Sequence, residues 1–140
     1  MIVAAHNEAD RIGATLDALA ATFPNAHVVV ADDASSDGTA DVALGRGAQL
    51  VGRRRPHGKG ANVTAAVQSV LDRADDADPP TFLLCDADLG PSAGRLVSLV
   101  EAVERRECDL AVAAFQRRLG GGLGLTLGFA RWPEIGASVR

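Results

Sequence analysis

The sequence lacks the features that mark several classes of protein. It has no tyrosine and only two cysteines, Cys85 and Cys108, and their spacing suits neither a zinc site nor a disulfide scaffold. Both are therefore predicted to be reduced thiols in a cytoplasmic protein. No apolar run reaches the roughly 18 residues of a membrane helix, and no signal peptide is predicted. The formal net charge of −4 gives no reason to expect a nucleic-acid partner.

Short apolar runs alternate along the chain with segments of helical period. This alternation is typical of a parallel sheet covered by helices, and 140 residues suit one domain of that kind. The continuous apolar run at residues 27–31 favours a strand buried on both faces. Five strands are predicted, at residues 1–5, 27–31, 48–52, 81–86 and 109–115. The predicted fold class is therefore α/β, a mostly parallel sheet with helices on both faces.

Helices are predicted between these strands, because apolar side chains recur there at the spacing of one helical face. Asn7 can cap the first of them. Two more are expected within residues 37–45 and 60–73, and the last at residues 93–106. The inward-facing residues predicted are Ile12, Leu16 and Leu19 in the first helix and Leu96, Val100 and Val103 in the last.

Polar residues follow the first four predicted strands, at the point where each strand ends. The segments are AAHNE, ADDASSDGT, RRRPHGKG and CDADLG. In a parallel α/β sheet, ligands bind beyond these carboxyl ends. Asp86 and Asp88 point to the same side of an extended segment, where a divalent cation between them and a phosphate would relieve their repulsion. Hard oxygen ligands favour Mg²⁺ or Mn²⁺ over zinc.

Each of these segments also has a purely structural interpretation. Taken alone, D-x-D is more often a turn or a cap, and DDASSDGT can be turn chemistry only. Glu8 can be an acid stabilised by a helix dipole, and residues 53–55 a solvated run of arginines. HGKG is harder to dismiss, because glycines on both sides of Lys59 let it approach a phosphate. It does not match a Walker A loop, and no G-x-G-x-x-G follows the first strand.

Taken together and in this order, four stretches resemble the family 2-like glycosyltransferases, which have the GT-A fold and bind nucleotide sugars. They are IVAAHNEADRIGATLDAL, VVVADDASSDGTADVA, HGKGAN and FLLCDADLG. Within the family, the sequence is similar to polyprenyl-phosphate sugar transferases of the dolichyl-phosphate mannose synthase type and, through G-K-G, to glucosyl-3-phosphoglycerate synthases. The resemblance implies a Rossmann-like nucleotide-sugar-binding sandwich, truncated after about the fifth strand.

The resemblance also implies two groups of site residues. The first would bind a UDP- or GDP-sugar: Ala4, Ala5, Glu8, Asp33, Gly58, Lys59, Gly60 and Asp86. Within it, Glu8 would accept hydrogen bonds from ribose or base, Asp33 from the base edge, and Lys59 would lie near the diphosphate. The second group would hold the cation, with Asp88 as its ligand and Asp86 beside it, near the ribose or metal-bound water. His6 stands where the family often has Tyr, Phe or Leu and is interpreted as a spacer.

Two functions follow from the resemblance and stay open. The first is a metal-dependent glycosyltransferase, or its donor-binding half, acting on a phosphorylated or lipid-phosphate acceptor. The second is a truncated nucleotide-sugar-binding module without transfer activity. A nucleotidyltransferase is disfavoured, because AAHNEADR is not the glycine-rich loop that this chemistry usually needs after the first strand.

The last part of the sequence differs from the rest. Residues 1–115 are predicted to form the nucleotide-sugar-binding domain, and residues 116–140 a glycine-rich irregular tail that starts an absent acceptor half with its catalytic base. A loop and a short helix near residues 125–132 are expected there. Apolar side chains beside Arg117, Arg118 and Arg131 suit peripheral association with the inner face of a membrane. A loop that packs on the absent half is the alternative, and Glu134 has no motif that supports it as the base.

Overall fold

The structure is a computed structural model that describes residues 1–52, 58–75, 79–117 and 123–128. At residues 114–117 and 123–128 the description covers the backbone alone. The chain divides into two compact units, Met1–Arg95 and Leu96–Arg140, a division that falls earlier than the predicted boundary at residue 115. The predicted surface arginines at 53–55 and the segments 118–122 and 129–140, with Glu134, lie outside the described residues.

A parallel sheet forms the centre of the first unit. Its strands are β1 (Ile2–Ala5), β2 (Val29–Asp32), β3 (Gln49–Gly52) and β4 (Leu84–Asp86). They lie in the order β3-β2-β1-β4, and every neighbouring pair is parallel. The register places Ala5 beside Asp32 and Ala4 beside Asp86, so the carboxyl ends of β1, β2 and β4 lie at one edge. The α/β class is confirmed.

Helices α1 (Ala9–Thr22), α2 (Thr39–Leu44) and α3 (Lys59–Leu71) connect these strands. All three agree with the predicted helices to within a few residues. The predicted apolar face of α1 is confirmed, since Ile12, Leu16 and Leu19 are all buried. No helix among the residues that the structure describes is both long enough and apolar enough to cross a membrane.

The core of the first unit lies on both faces of the sheet. Every residue of β2 is buried, as its continuous apolar run predicts. On one face, side chains of α3 pack against a buried cluster that contains Ile2 and Val29. Val3 and Val30 alternate to the opposite face and have no exposed surface. Residues of β1 and β2 are therefore buried on both faces of the sheet.

The beginning of α1 differs from the prediction, because Asn7 is not its cap. Asn7 adopts a left-handed conformation, with φ of 53°, and the capping position is Glu8. The amides at the start of α1 find acceptors in the loop after β2 and in the first residue of α2. Glu8 N donates to Thr39 Oγ1 at 2.8 Å, and Ala9 N donates to Asp37 Oδ2 at 3.1 Å. A hydrogen bond from the Thr39 hydroxyl lowers the pKa of Asp37. The cap is thus supplied by tertiary contact.

The second unit begins at the end of a 3-10 helix, Gly90–Leu96, which leads into α4 (Val97–Glu104). Of the three residues predicted to face inward in this segment, Leu96 is buried. Buried residues recur every third position from the 3-10 helix onward, at Ala93, Leu96, Leu99 and Ala102. Val100 and Val103 are only half-buried. A 3-10 helix has three residues per turn, so it shifts the buried face away from the one that α-helical spacing predicts.

Strands β5 (Val112–Arg117) and β6 (Leu123–Gly128) form an antiparallel pair in a sheet of their own. The predicted fifth strand therefore exists, but it pairs with β6 and not with the parallel sheet. The short helix expected near residues 125–132 is wrong where the chain is described, because residues 125–128 are strand. The sequence LGLTLG alternates leucine with smaller residues, a period of two that favours a strand.

Both cysteines are free thiols and half-buried. Burial, helped by the neighbouring Asp86 carboxylate, raises the pKa of Cys85 to about 12. The thiolate of Cys85 is therefore scarce at neutral pH, which suits a structural residue and not a nucleophile.

Candidate functional site

A cleft of about 200 Å³ opens at the carboxyl edge of the parallel sheet. The ends of β1, β2 and β4 and the start of α3 form its walls. The residues that line it are Ala4, Ala5, His6, Glu8, Ala31, Asp33, Lys59, Asp86, Ala87 and Asp88. The predicted site residues are all among them except Gly58 and Gly60, which flank Lys59. The structure thus brings the four polar segments together, and their roles toward a ligand stay predictions.

Each aspartate of the D-x-D segment faces a cation. The Lys59 ammonium forms an ion pair with Asp86, and Arg11 Nη1 lies 3.8 Å from Asp88 Oδ2. All four side chains are about half exposed, so water screens both pairs and each contributes little to stability. The carboxylates can consequently exchange these partners for another cation. Arg11 was not predicted as a site residue, and its sequence signal is the spacing of three residues from Glu8.

One carboxylate oxygen of Glu8, Oε2, has no well-aligned hydrogen-bond donor among the described residues. The side chain is 18% exposed, and its shielded Oε2 lies 2.7 Å from Arg11 Nη2. This ion pair lacks the alignment of a hydrogen bond, and Oε2 has no hydrogen-bond partner among the residues that the structure describes. A shielded oxygen in this state costs free energy until a donor reaches it. Since Glu8 lines the cleft, a hydroxyl or N–H of a bound ligand can supply that donor.

The start of α3 holds the Asp33 carboxylate from two sides. Gly58 N donates to Asp33 Oδ2 at 3.1 Å, and Asn62 Nδ2 donates to Oδ1 at 2.7 Å. Asn62 is 1% exposed and also reaches the Asp32 carbonyl oxygen at 3.3 Å. Asn62 was not predicted from the sequence. Its signal is a polar residue four positions before Ala66, on the buried face of α3.

His6 lies in the wall of the cleft. Its ring takes part in the hydrogen bonds that join the loop after β1 to the loop after β2. Its Nδ1 is 2.8 Å from the Asp33 carbonyl oxygen, so Nδ1 carries the proton. Nε2 then accepts from Asn7 Nδ2 at 3.2 Å. Asn7 also joins the loop after β2, because Ser36 N donates to its Oδ1 at 2.9 Å. These contacts give His6 a structural role in the cleft wall, beyond that of a spacer.

Asp86 and Asp88 are the carboxylates that suit a cation. The described part of the chain contains no group of three or more His, Cys, Asp or Glu that could hold a metal ion. Mg²⁺ commonly keeps several waters and binds one or two carboxylates together with substrate phosphates. The D-x-D pair therefore fits a hard divalent cation that is bound jointly with a diphosphate.

The two glycines beside Lys59 should respond oppositely to alanine. Gly58 has φ of 84° and ψ of 149°, a conformation almost restricted to glycine, whereas Gly60 is helical with open space at its Cβ position. Gly58→Ala should lower the free energy of unfolding by about 1–3 kcal/mol. Gly60→Ala should raise it by about 0.5–1 kcal/mol. Urea unfolding measures both, and equal effects would contradict the backbone argument.

Known proteins were compared with the chain by family, by sequence and by structure. A family model described as glycosyl transferase family 2 matches residues 1–135. An undecaprenyl-phosphate mannosyltransferase from Micrococcus luteus is 33% identical over an alignment of 126 residues, and the match covers 86% of this chain and 49% of that protein. The chain thus spans about half the length of this relative. No solved structure matches significantly.

Proposed function

Because this chain belongs to glycosyl transferase family 2, we propose that its cleft binds a nucleoside-diphosphate sugar together with Mg²⁺ or Mn²⁺. The sugar would then pass to a phosphorylated or polyprenyl-phosphate acceptor. One observation carries the proposal: carboxylates from three strand ends and the ammonium of Lys59 line a single cleft. The carboxylates can accept hydrogen bonds from a base and a ribose and can hold a cation, and the Lys59 ammonium can bind a diphosphate.

The carboxylates of the cleft suit the parts of a nucleoside. Asp33 is held by two donors from α3, so its orientation is set before a ligand arrives. An oriented carboxylate accepts hydrogen bonds from the N–H groups of uracil or guanine. Glu8, whose Oε2 lacks a well-aligned donor, would accept from a ribose hydroxyl. Ala4 and Ala5 have small side chains, which would leave room for the flat base.

The cationic and acidic groups of the cleft suit the diphosphate. When bound, the divalent cation supplies Lewis-acid stabilisation of the leaving diphosphate. Asp88 would hold that cation, with Asp86 beside it. Lys59 is 62% exposed in its pair with Asp86, so its ammonium can turn to a phosphate oxygen. Its departure would leave the Asp86 carboxylate to the cation or its water shell.

The acceptor proposal rests on the relative. That protein is named for undecaprenyl phosphate and mannose, which supports a polyprenyl-phosphate acceptor and a mannose donor here. We propose that residues 1–115 bind the donor and that residues 116–140 lead into the acceptor region. A polyprenyl phosphate lies in a membrane, so the protein would work at the cytoplasmic face as a peripheral protein. A module that binds the donor without transferring it is the second candidate.

Calorimetric titration with UDP-glucose and GDP-mannose, with and without Mn²⁺, tests the donor site. We expect one donor to bind, and only with the metal. Asp33→Asn should weaken binding about 10- to 100-fold, because the amide carries no charge and replaces one acceptor oxygen with an NH2 group, which can accept neither from α3 nor from the base. Asp41→Asn, an exposed aspartate of α2 outside the cleft, is the matched control and should leave binding unchanged.

The outcomes separate the candidate functions. If neither donor binds in the presence of Mn²⁺, the proposed donor site is wrong. If a donor binds, the same chain is given undecaprenyl phosphate and the bound donor, and formation of the lipid-linked sugar is measured. Transfer supports the glycosyltransferase. Binding without transfer supports the donor-binding module.

A further inference from the structure

Thr15 lies in the middle of α1, and the described hydrogen bonds of its hydroxyl are made to residues outside that helix. It has no exposed surface. Its Oγ1 donates to the Ala87 carbonyl oxygen at 2.6 Å and accepts from Gly90 N at 2.8 Å. Ala87 is the residue between the two aspartates, and Gly90 ends the same turn. We call residues 86–90 the D-x-D turn.

Thr22, at the end of the same helix, and Thr64, inside α3, use their hydroxyls differently. Thr22 donates to the Ala18 carbonyl oxygen at 2.9 Å, and Thr64 donates to that of Gly60 at 2.9 Å. Both are bonds to the residue four positions earlier, which is the usual choice of a threonine inside a helix. Thr15 instead bonds across 72 and 75 residues of sequence. Its hydroxyl therefore serves the D-x-D turn and not α1.

The hydrogen bond from Thr15 is one of several contacts that hold Ala87 in place. Ala87 N donates to the Ala4 carbonyl oxygen at 3.0 Å, which extends the pairing of β1 with β4. Its carbonyl accepts from Thr15, and its side chain is 1% exposed. Both backbone groups and the side chain of Ala87 are thus held. Asp86 and Asp88, on either side of it, are about half exposed and line the cleft.

We propose that Thr15 is a positioning residue for the cation site. It touches no ligand, but its hydroxyl sets the path of the D-x-D turn and through it the separation of the Asp86 and Asp88 carboxylates. The proposal rests on the proposed function, because the carboxylates matter only if they hold a cation with the donor. Groups that orient a metal ligand typically change metal affinity 10- to 100-fold when they are removed.

The test compares Thr15→Val with Thr15→Ser and Thr22→Val. Valine keeps the shape of threonine but loses the hydroxyl, which leaves the Ala87 carbonyl and the Gly90 amide without this partner. Serine keeps the hydroxyl. Thr22→Val removes another hydroxyl of α1, whose described hydrogen bond is made within that helix. Amide hydrogen exchange at Gly90 reports the turn itself, and calorimetric titration with Mn²⁺ and the donor reports the cation site.

We expect faster exchange at Gly90 in Thr15→Val and about 10- to 100-fold weaker Mn²⁺-dependent donor binding. Thr15→Ser should restore most of both, and Thr22→Val should match the wild type. Wild-type exchange at Gly90 in Thr15→Val would overturn the proposal, as would faster exchange with unchanged binding. Absence of Mn²⁺-dependent donor binding in the wild type would instead overturn the proposed function, and with it the role of Thr15.

Discussion

Replacing Asp88 with alanine should weaken Mn²⁺-dependent donor binding by about 100-fold or more. Removal of groups that only orient a metal ligand already costs 10- to 100-fold, and Asp88 would be the ligand itself. Asp86 cannot compensate fully, because the cation would then keep a single carboxylate of the D-x-D pair. Calorimetric titration of the donor at fixed Mn²⁺ measures the loss.

The fold should survive this substitution, which makes the result interpretable. The described charge partner of Asp88 is Arg11 at 3.8 Å, and both side chains are about half exposed. Exposed pairs of this kind contribute between 0 and about 1 kcal/mol. The free energy of unfolding of Asp88→Ala should therefore stay close to that of the wild type. Asp41→Ala, on the exposed surface of α2, is the control for loss of one negative charge. Unchanged metal dependence in Asp88→Ala would contradict the assignment of Asp88.

Replacing Ile12 with alanine should lower the free energy of unfolding by about 2–5 kcal/mol. Ile12 has no exposed surface, so the missing atoms leave a cavity in addition to the lost burial of apolar surface. A loss of this size is a large share of the roughly 5–15 kcal/mol that holds a typical domain together. Urea unfolding measures it.

A graded series identifies the cause of this loss. Ile12→Val removes one methylene and should cost only about 0.5–1.5 kcal/mol. Asp10→Ala changes an exposed acid in the first turn of the same helix and should cost about 1 kcal/mol or less, through the helix dipole. A loss below about 1 kcal/mol for Ile12→Ala would show that α1 does not depend on this face for its packing.

Sequence patterns predicted the α/β class and the edge at which the cleft lies. Apolar period distinguishes strands from helices, and parallel strands separated by helices bring their carboxyl ends to one edge. The polar residues after the first, second and fourth strands therefore had to lie close together, as Glu8, Asp33 and Asp86 do. Local pattern was sufficient here, because each step depends only on residues that are neighbours in the sequence.

Contacts between distant residues could not be predicted in this way. The cap of α1 comes from Asp37 and Thr39, the clamp on Asp33 from Asn62, and the support of the D-x-D turn from Thr15. Each of these residues has an ordinary local interpretation, and its partners lie 28 to 75 residues away.

Chain periodicity and residue type therefore determined the parallel strands, the helices that connect them and which polar groups meet at the carboxyl edge. Only the tertiary structure decided how those groups are held. The 3-10 helix before α4 shifted a buried face, and β5 paired with β6 in a separate sheet. The physical reason is common to all these cases: a hydrogen bond or a packed face depends on the distance and direction of groups that only the completed fold brings together.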